Sequence, residues 1–440
     1  MAEFTLEEVL DKIMMGESLE GSDLSGIDLS NQGSLWGTAL EVGVHLDEKY
    51  NLQDIPRINF RKANLSNATF KNSDLRFCDF TGAILDSANL SNANLDRAIL
   101  DSATLTNANL SESSISDTSF YESDLTKSNL RFVKGEWPNF GESRLHETNF
   151  EACELSNPTF TDADISCSNF AHCSMLDCSF LGSSIENTSF SNASLTSTEL
   201  FSTISLNTCH NIDFSNATLV GYEIAFGEHP EEKQYERIID FHKARITDCE
   251  ISVDAGRTHI DFSDAVVTNL TLMVMPDFFV SGNLDNVDVR QIKFQAESIC
   301  QFRFHNANLS GMDFDGFLIS NCDFTEANLS KANFRNTNIS GSNFSNTNLS
   351  DVDFSNSTLQ GDWRFPAPNF ISSEIKNADF SNTNMWSLRC LRCNYIEPAG
   401  TRKIPSFCYG GYDRSIRRLR PARCTHCGKI TLLRLLAMQT

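Results

Sequence analysis

The stretch Ala88–Leu110, ANLSNANLDRAILDSATLTNANL, places leucine at Leu90, Leu95, Leu100, Leu105 and Leu110, with alanine two places before each. A period of five is neither the 3.6 of a helix nor the 2 of a strand. A unit this short cannot bury its own apolar residue, so neighbouring units must stack into a continuous core. Each unit reads small residue, polar residue, Leu or Phe, then two polar residues. The pattern holds one phase from Phe60 to Leu130, including Ala63/Leu65, Ala68/Phe70, Ser73/Leu75 and Cys78/Phe80. An irregular piece containing Trp137 and Pro138 follows, and the phase resumes from Phe140 to Leu200. It then slips by one residue through Phe214, Leu219 and Ile224, and long and short runs return over Phe304–Leu359 and Phe370–Met385.

The third long run sets the size of the coil. Its centres alternate Phe304, Leu309, Phe314, Ile319, Phe324, Leu329, Phe334, Ile339, Phe344, Leu349, Phe354, Leu359. If like stacks on like, one turn holds a multiple of ten residues. Ten is too few to enclose a packed interior, and twenty makes a four-sided coil with phenylalanines on two opposite walls. The small residue two before each centre then also points inward.

The units ANLSN, ANLDR, TNLSD and ANFRN resemble the A(D/N)LXX repeats of the pentapeptide-repeat proteins. The resemblance implies an all-β solenoid, a right-handed quadrilateral β-helix with four units per coil, here assigned to residues 19–385. Within 225–303 the centres change phase repeatedly: Phe241, Ile246, Ile251, then Phe262, Val267, Leu272, then Leu284, Val289, Phe294. This reads as coils interrupted by loops near 226–238, 253–260 and 274–282. The polar first loop is expected to project outward, either carrying function or as a tolerated insertion.

An open coil end offers unpaired backbone to other chains. Residues 1–18 are expected to supply a capping helix: Thr5 and Glu8 have capping-box spacing, and Leu6, Val9, Leu10, Ile13 and Met14 follow at helical spacing. A membrane-surface helix is the competing reading, disfavoured by Glu3, Glu7, Glu8 and Asp11. Leu19, Leu24 and Leu29 begin the first coil, with 34–57 irregular.

Formal charge is −23, unevenly placed: residues 386–440 carry 11 Lys/Arg against 2 Asp/Glu, a net of +9, which leaves −32 on the rest. The acidic, non-apolar N-terminus is no secretory signal, and no segment has the roughly 18 apolar residues of a membrane span. A cytoplasmic protein without membrane contact is expected, with export as an effector left open.

The sharpest chemical motif is the pair Cys390-x2-Cys393 and Cys424-x2-Cys427. Two thiolates three positions apart chelate one ion, and two such turns complete the tetrahedral set that zinc favours. Residues 386–440 therefore resemble a zinc ribbon holding structural Zn(2+), since four cysteines leave no open position for water. Cys408 is a substitute ligand, and dithiol redox chemistry is the competing reading. The basic segment 414–434 either contacts nucleic acid, docks on acidic coils of its own chain, or caps the coil.

No phosphate-binding loop, nucleophile elbow or zinc-protease motif is present in the sequence, and His146, His172 and His210 have no evident catalytic neighbours. No catalytic residue is assigned, and a non-enzymatic scaffold for protein–protein interaction is expected. The resemblance adds two alternatives: a DNA mimic binding a type II topoisomerase or another nucleic-acid-binding protein, and an exported bacterial effector scaffold.

Overall fold

The backbone of one repeat accounts for all of its amide hydrogens. In Leu90–Asn94, Leu90 N–H donates to Asn109 O (2.7 Å), Asn92 N–H to Ser111 O (2.9 Å) and Asn94 N–H to Ser73 O (2.9 Å), which ties the unit to the coils on either side. Ala93 N–H closes a tight turn onto Leu90 O (3.1 Å). The remaining donor, Ser91 N–H, is met by the side chain of Asn89 at 3.1 Å. That bond explains why Asn or Asp precedes so many centres: the short side chain folds back on the backbone two residues ahead. Asn92, third in the turn, is left-handed at φ 56°, a region Asn tolerates better than most residues. Ala93 is buried at the inner corner, where a larger group would collide with the core.

The structure is a computed structural model that describes residues 3–31, 58–197, 202–226, 236–253, 257–274, 279–359, 368, 370, 373–381, 383, 386–390, 396–397, 421–423 and 430–437. The chain forms two compact units, one of Met1–Lys233 with Arg237–Ala255, the other of Gln234–Glu236 with Gly256–Thr440.

The first unit is a coil of four parallel ladders. Asn59 bridges Asp79, Asn64 bridges Ile84, Thr69 bridges Asn89 and Asp74 bridges Asn94, one ladder per wall, and each repeats twenty residues on. The interior is dry: Phe60, Leu65, Phe70, Leu75 and Phe80 are 0 % exposed. Phenylalanines stack coil on coil, as Phe120 on Phe140 (4.9 Å), Phe140 on Phe160 (5.1 Å) and Phe160 on Phe180 (4.9 Å). A second column, Phe150, Phe170 and Phe190, meets the first edge-on. Some polar inner corners bond a carbonyl of the previous coil, as Thr118 Oγ1 to Leu95 O at 2.8 Å and Thr148 Oγ1 to Leu125 O at 2.9 Å. Others bond the carbonyl three residues back, as Ser123 Oγ to Phe120 O and Ser143 Oγ to Phe140 O, both at 2.6 Å.

The piece around Trp137 and Pro138 is not irregular. Strand Lys134–Glu136 continues the coil, with Ser114 bridged to Lys134 and Lys134 opposite Glu154. Gly135 takes the centre position, because a Cβ there would lie 2.8 Å from the Ile115 carbonyl carbon. From this coil onward one wall is an extended parallel sheet, in the order Lys134–Glu136, Glu154–Ser156, Ser174–Leu176, Ser194–Thr196, Thr218–Val220, Arg245–Thr247. An extended repeat makes no tight turn, which frees one amide. Pro138 and Pro158 have no N–H at that position, and Cys178 N–H donates to the Tyr222 hydroxyl at 3.2 Å.

The slip of one residue is an enlarged coil. Phe190 stacks on Phe214 at 5.0 Å, and Ser189 bonds Asp213 across a separation of 24 residues rather than 20. The last of the extra residues enters where Ser202–His210 pairs Ser183–Glu186: Ser183 lies opposite Leu206 and Ser184 opposite Thr208, a register shift of one. The expected loop at 226–238 is shorter than anticipated, since strands Tyr222–Phe226 and Glu236–Asp240 flank it and leave 227–235 outside the described residues.

In the second unit, strands Arg257–Asp261 and Leu270–Val274 likewise trim the loops expected at 253–260 and 274–282, leaving 254–256 and 275–278 outside the described residues. Leu270 pairs Ile292 and Leu272 pairs Phe294, so Phe294 takes the register position of the centre Leu272 as its spacing predicts, although it is half-buried while Ile292 is buried. All twelve centres from Phe304 to Leu359 are buried. Phe304, Phe324 and Phe344 form one stack (4.9 and 4.7 Å), while Phe314, Phe334 and Phe354 form the other (4.9 and 5.0 Å). The two columns meet edge-on, Phe324 to Phe334 at 6.4 Å, as opposite walls require. Beyond the coils, an antiparallel sheet runs in the order Ile396–Glu397, Trp386–Cys390, Ile430–Ala437, Pro421–Arg423.

The N-terminal helix is Leu6–Met14, with the expected capping box between Thr5 and Glu8, and Val9 and Ile13 buried. Leu19 N–H donates to Asn59 O (3.0 Å) and Leu24 N–H to Asn64 O (2.7 Å), so Leu19–Asn31 stacks on the coil that begins at Ile58. Residues 34–57 lie outside the described residues.

Candidate interaction surface

Every outward side chain sits one coil from its equivalent, so the surface is a set of columns. In the first unit, one column is polar and self-bonded: Asn109 Nδ2 donates to Asn89 Oδ1 (3.4 Å) and Asn129 Nδ2 to Asn109 Oδ1 (3.0 Å). The second unit repeats this with Asn328 to Asn308 (3.3 Å) and Asn348 to Asn328 (3.1 Å).

Charges are interleaved along the columns. Lys127 pairs Glu147 (3.6 Å), Arg131 pairs Glu151 (3.0 Å), Lys134 pairs Glu154 (2.9 Å) and Arg144 pairs Asp124 (3.0 Å), each one coil apart. Such exposed pairs are worth about 0.2–1 kcal/mol each, so they shape the surface potential more than stability. One corner is different: Glu122, Glu142 and Asp162 stand above one another without an ion pair among the described residues. Lys62, Gly82 and Ser102 occupy the same corner in the earlier coils, so the acidic column spans three coils only. Beside it the Tyr121 hydroxyl donates to Glu142 (2.5 Å), and that bond pushes the phenol up to about 12.

Two residues that the repeat pattern passes over stand out. Phe132 and Trp137 occupy left-handed corners on either side of strand Lys134–Glu136, at φ 60° and 59°. They are 45 % and 60 % exposed. For bulky side chains that backbone region is an outlier, and nothing in the interior requires them there. The signal in the sequence is an aromatic at the second polar place of the repeat, twice within RFVKGEWP.

Of the expected zinc ligands, Cys390 ends strand Trp386–Cys390, while Cys393, Cys424, Cys427 and the substitute Cys408 lie outside the described residues. Among the described residues no group of three or more His, Cys, Asp or Glu is placed to hold a metal. His146 lies 3.3 Å from Glu147 and His172 fills an outer corner, while the His210 side chain lies outside the described residues. No helix among the described residues is long and apolar enough to cross a membrane.

A family model described as a pentapeptide repeat region matches residues 53–130, and one of pentapeptide repeats in eight copies matches 303–341 and 318–356. Both stretches are pentapeptide repeats. No curated protein matches the chain. Among solved structures, the chain is similar to a pentapeptide repeat protein (Rfr23) from the cyanobacterium Cyanothece 51142, with 24% identity, coverage of 34% of this chain and 95% of that one, and a TM-score of 0.20. It is also similar to HetL, a pentapeptide repeat protein involved in heterocyst differentiation regulation from the cyanobacterium Nostoc sp. strain PCC 7120 (15% identity, 90% and 100% coverage, TM-score 0.13). QnrB1, a plasmid-mediated fluoroquinolone resistance protein, follows (18% identity, 46% and 84% coverage, TM-score 0.19). The coils are defined by their own ladders and stacks.

Proposed function

We propose that this chain is a non-enzymatic scaffold for protein–protein interaction, built on pentapeptide-repeat coils with the helix Leu6–Met14 covering the first of them. The observation that carries this reading is the columnar surface: Asn89, Asn109 and Asn129, and the ion pairs beside them, hold outward groups at one-coil steps on a buried core. Rigid, preordered side chains lose little freedom when a partner binds. A pull-down from lysate with the full chain, and with residues 386–440 removed, tests it. Specific capture by the coils supports the reading, and no capture by either form counts against it.

Mimicry of nucleic acid is the second reading, favoured by the Glu122, Glu142 and Asp162 column. Its shortness and the interleaved Lys127, Arg131, Lys134 and Arg144 make it the weaker of the two.

For residues 386–440 we propose a structural zinc site of Cys390, Cys393, Cys424 and Cys427. The sheet register supports it. Strand Trp386–Cys390 ends on the first cysteine, and Pro421–Arg423 ends immediately before Cys424. Both run antiparallel to Ile430–Ala437, with Cys390 opposite Leu433 and Arg423 opposite Ile430. The two strands therefore lead toward the same end of the sheet.

A further inference from the structure

One outer corner of the first unit holds, coil by coil, Phe77, Arg97, Asp117 and Trp137. Its first three members make a closed set. The Arg97 guanidinium lies over the Phe77 ring at 5.5 Å, and Arg97 Nε reaches Asp117 Oδ2 at 3.3 Å. Phe77 is 5 % exposed. Across the wall the same combination recurs, with Arg131 over Phe132 at 5.1 Å and bonded to Glu151 at 3.0 Å. Trp137 repeats the aromatic member but has no cation of this chain over it among the described residues, and it is 60 % exposed. Tryptophan is the strongest of the aromatic faces for a cation.

The charges nearby point the same way. Between residues 101 and 160 each of Lys127, Arg131, Lys134 and Arg144 is already paired. Glu112, Glu122 and Glu136 are exposed and have no cationic partner among the described residues. Glu136 directly precedes Trp137, and Glu112 lies one coil before Phe132. The backbone at Trp137 is held in place on both sides. Its N–H donates to Ser156 O at 2.7 Å, Asp117 N–H donates to Glu136 O at 2.7 Å, and Pro138 follows.

We infer that Trp137, with Glu136 beside it, is the docking point for an arginine-bearing segment of a partner protein, whose guanidinium takes the place over Trp137 that Arg97 takes over Phe77. This rests on the scaffold reading and gives it a site and a partner chemistry. The bulky side chain in a left-handed corner serves binding rather than folding, which is where backbone strain is retained in proteins.

The test uses the full chain and a fluorescent twelve-residue peptide of alternating arginine and serine, with a twin carrying uncharged citrulline in place of arginine. The arginine peptide should bind in a salt-sensitive way, and the citrulline twin about ten-fold more weakly or worse. Trp137→Asn should weaken binding by about ten-fold and leave the thermal midpoint unchanged or higher, since asparagine tolerates the corner. Trp137→Phe should retain most of the binding, and Glu136→Gln should reduce both affinity and salt dependence. Equal binding by wild type and Trp137→Asn, equal binding of the two peptides, or a lowered midpoint in Trp137→Asn overturns the proposal. A lysate partner held equally by wild type and Trp137→Asn would remove this site while leaving the scaffold reading intact.

Discussion

Phe190 and Phe214 stack 5.0 Å apart with their planes 13° from parallel, although their coil is larger than its neighbours. Phe214 in turn stacks on Phe241 at 5.1 Å, across a coil in which Thr218 pairs Arg245. The extra residues of both coils leave the aromatic column unbroken. Interior stacking sets the register, and insertions are pushed to the outside, because a break in the column would leave buried rings without partners.

Phe160→Ala should therefore be among the most damaging substitutions. Phe160 lies between Phe140 (5.1 Å) and Phe180 (4.9 Å) and meets Phe150 and Phe170 edge-on. The cavity should cost about 3–5 kcal/mol, read from urea denaturation followed by circular dichroism. Phe160→Leu should cost clearly less.

Glycine matters at Gly135 for a different reason than at the corners. Gly135→Ala puts a Cβ 2.8 Å from the Ile115 carbonyl carbon, so the coils must part, at a cost of about 1–3 kcal/mol in the same experiment. At Gly82, with φ +66° and Lys62 Cγ 3.5 Å from the added Cβ, Gly82→Asn should be nearly neutral.

Burial pushes the Cys178 and Cys322 thiols up to about 12, from 9.0 for a free thiol. The folded chain thus binds protons that the unfolded chain releases above pH 9. Stability from these thiols is complete below pH 9 and falls between pH 9 and 12, by about 1 kcal/mol per pH unit for Cys322. Cys322→Ala should flatten that alkaline slope in denaturation midpoints. Iodoacetamide at neutral pH should modify exposed Cys167 well before buried Cys178 or Cys322, checked by peptide mass spectrometry.

Mercurial titration of the cysteines should release about one zinc per chain into a colorimetric chelator. Strand circular dichroism from the coils should persist through the titration, with changes in hydrogen exchange confined to 386–440. Collapse of the whole spectrum would overturn the separate zinc site.

The period of five, the alternation of Phe with Leu or Ile, and the small residue before each centre were sufficient to derive a twenty-residue coil. Each is a local constraint repeated many times, and repetition averages out local exceptions. The capping box at Thr5 and Glu8 was legible for the same reason, as a short-range pattern with one physical meaning. Spacing predicts Phe294 as a centre, and the register does set it opposite the centre Leu272. Ile292, two positions earlier on the same face, is nevertheless the residue that is fully buried, and degree of burial is not written in spacing.

What the chain by itself determined is the coil and its filling, since a five-residue unit with one large and one small apolar place has few ways to exclude water. Tertiary structure alone decided which outer side chains meet. Arg97 lies twenty positions from both Phe77 and Asp117, and only the stacking of coils makes them neighbours. The same stacking leaves Trp137 exposed, with no cation over it among the described residues. The core is written in local spacing, whereas the surface is written in distances that exist only after the coil has closed.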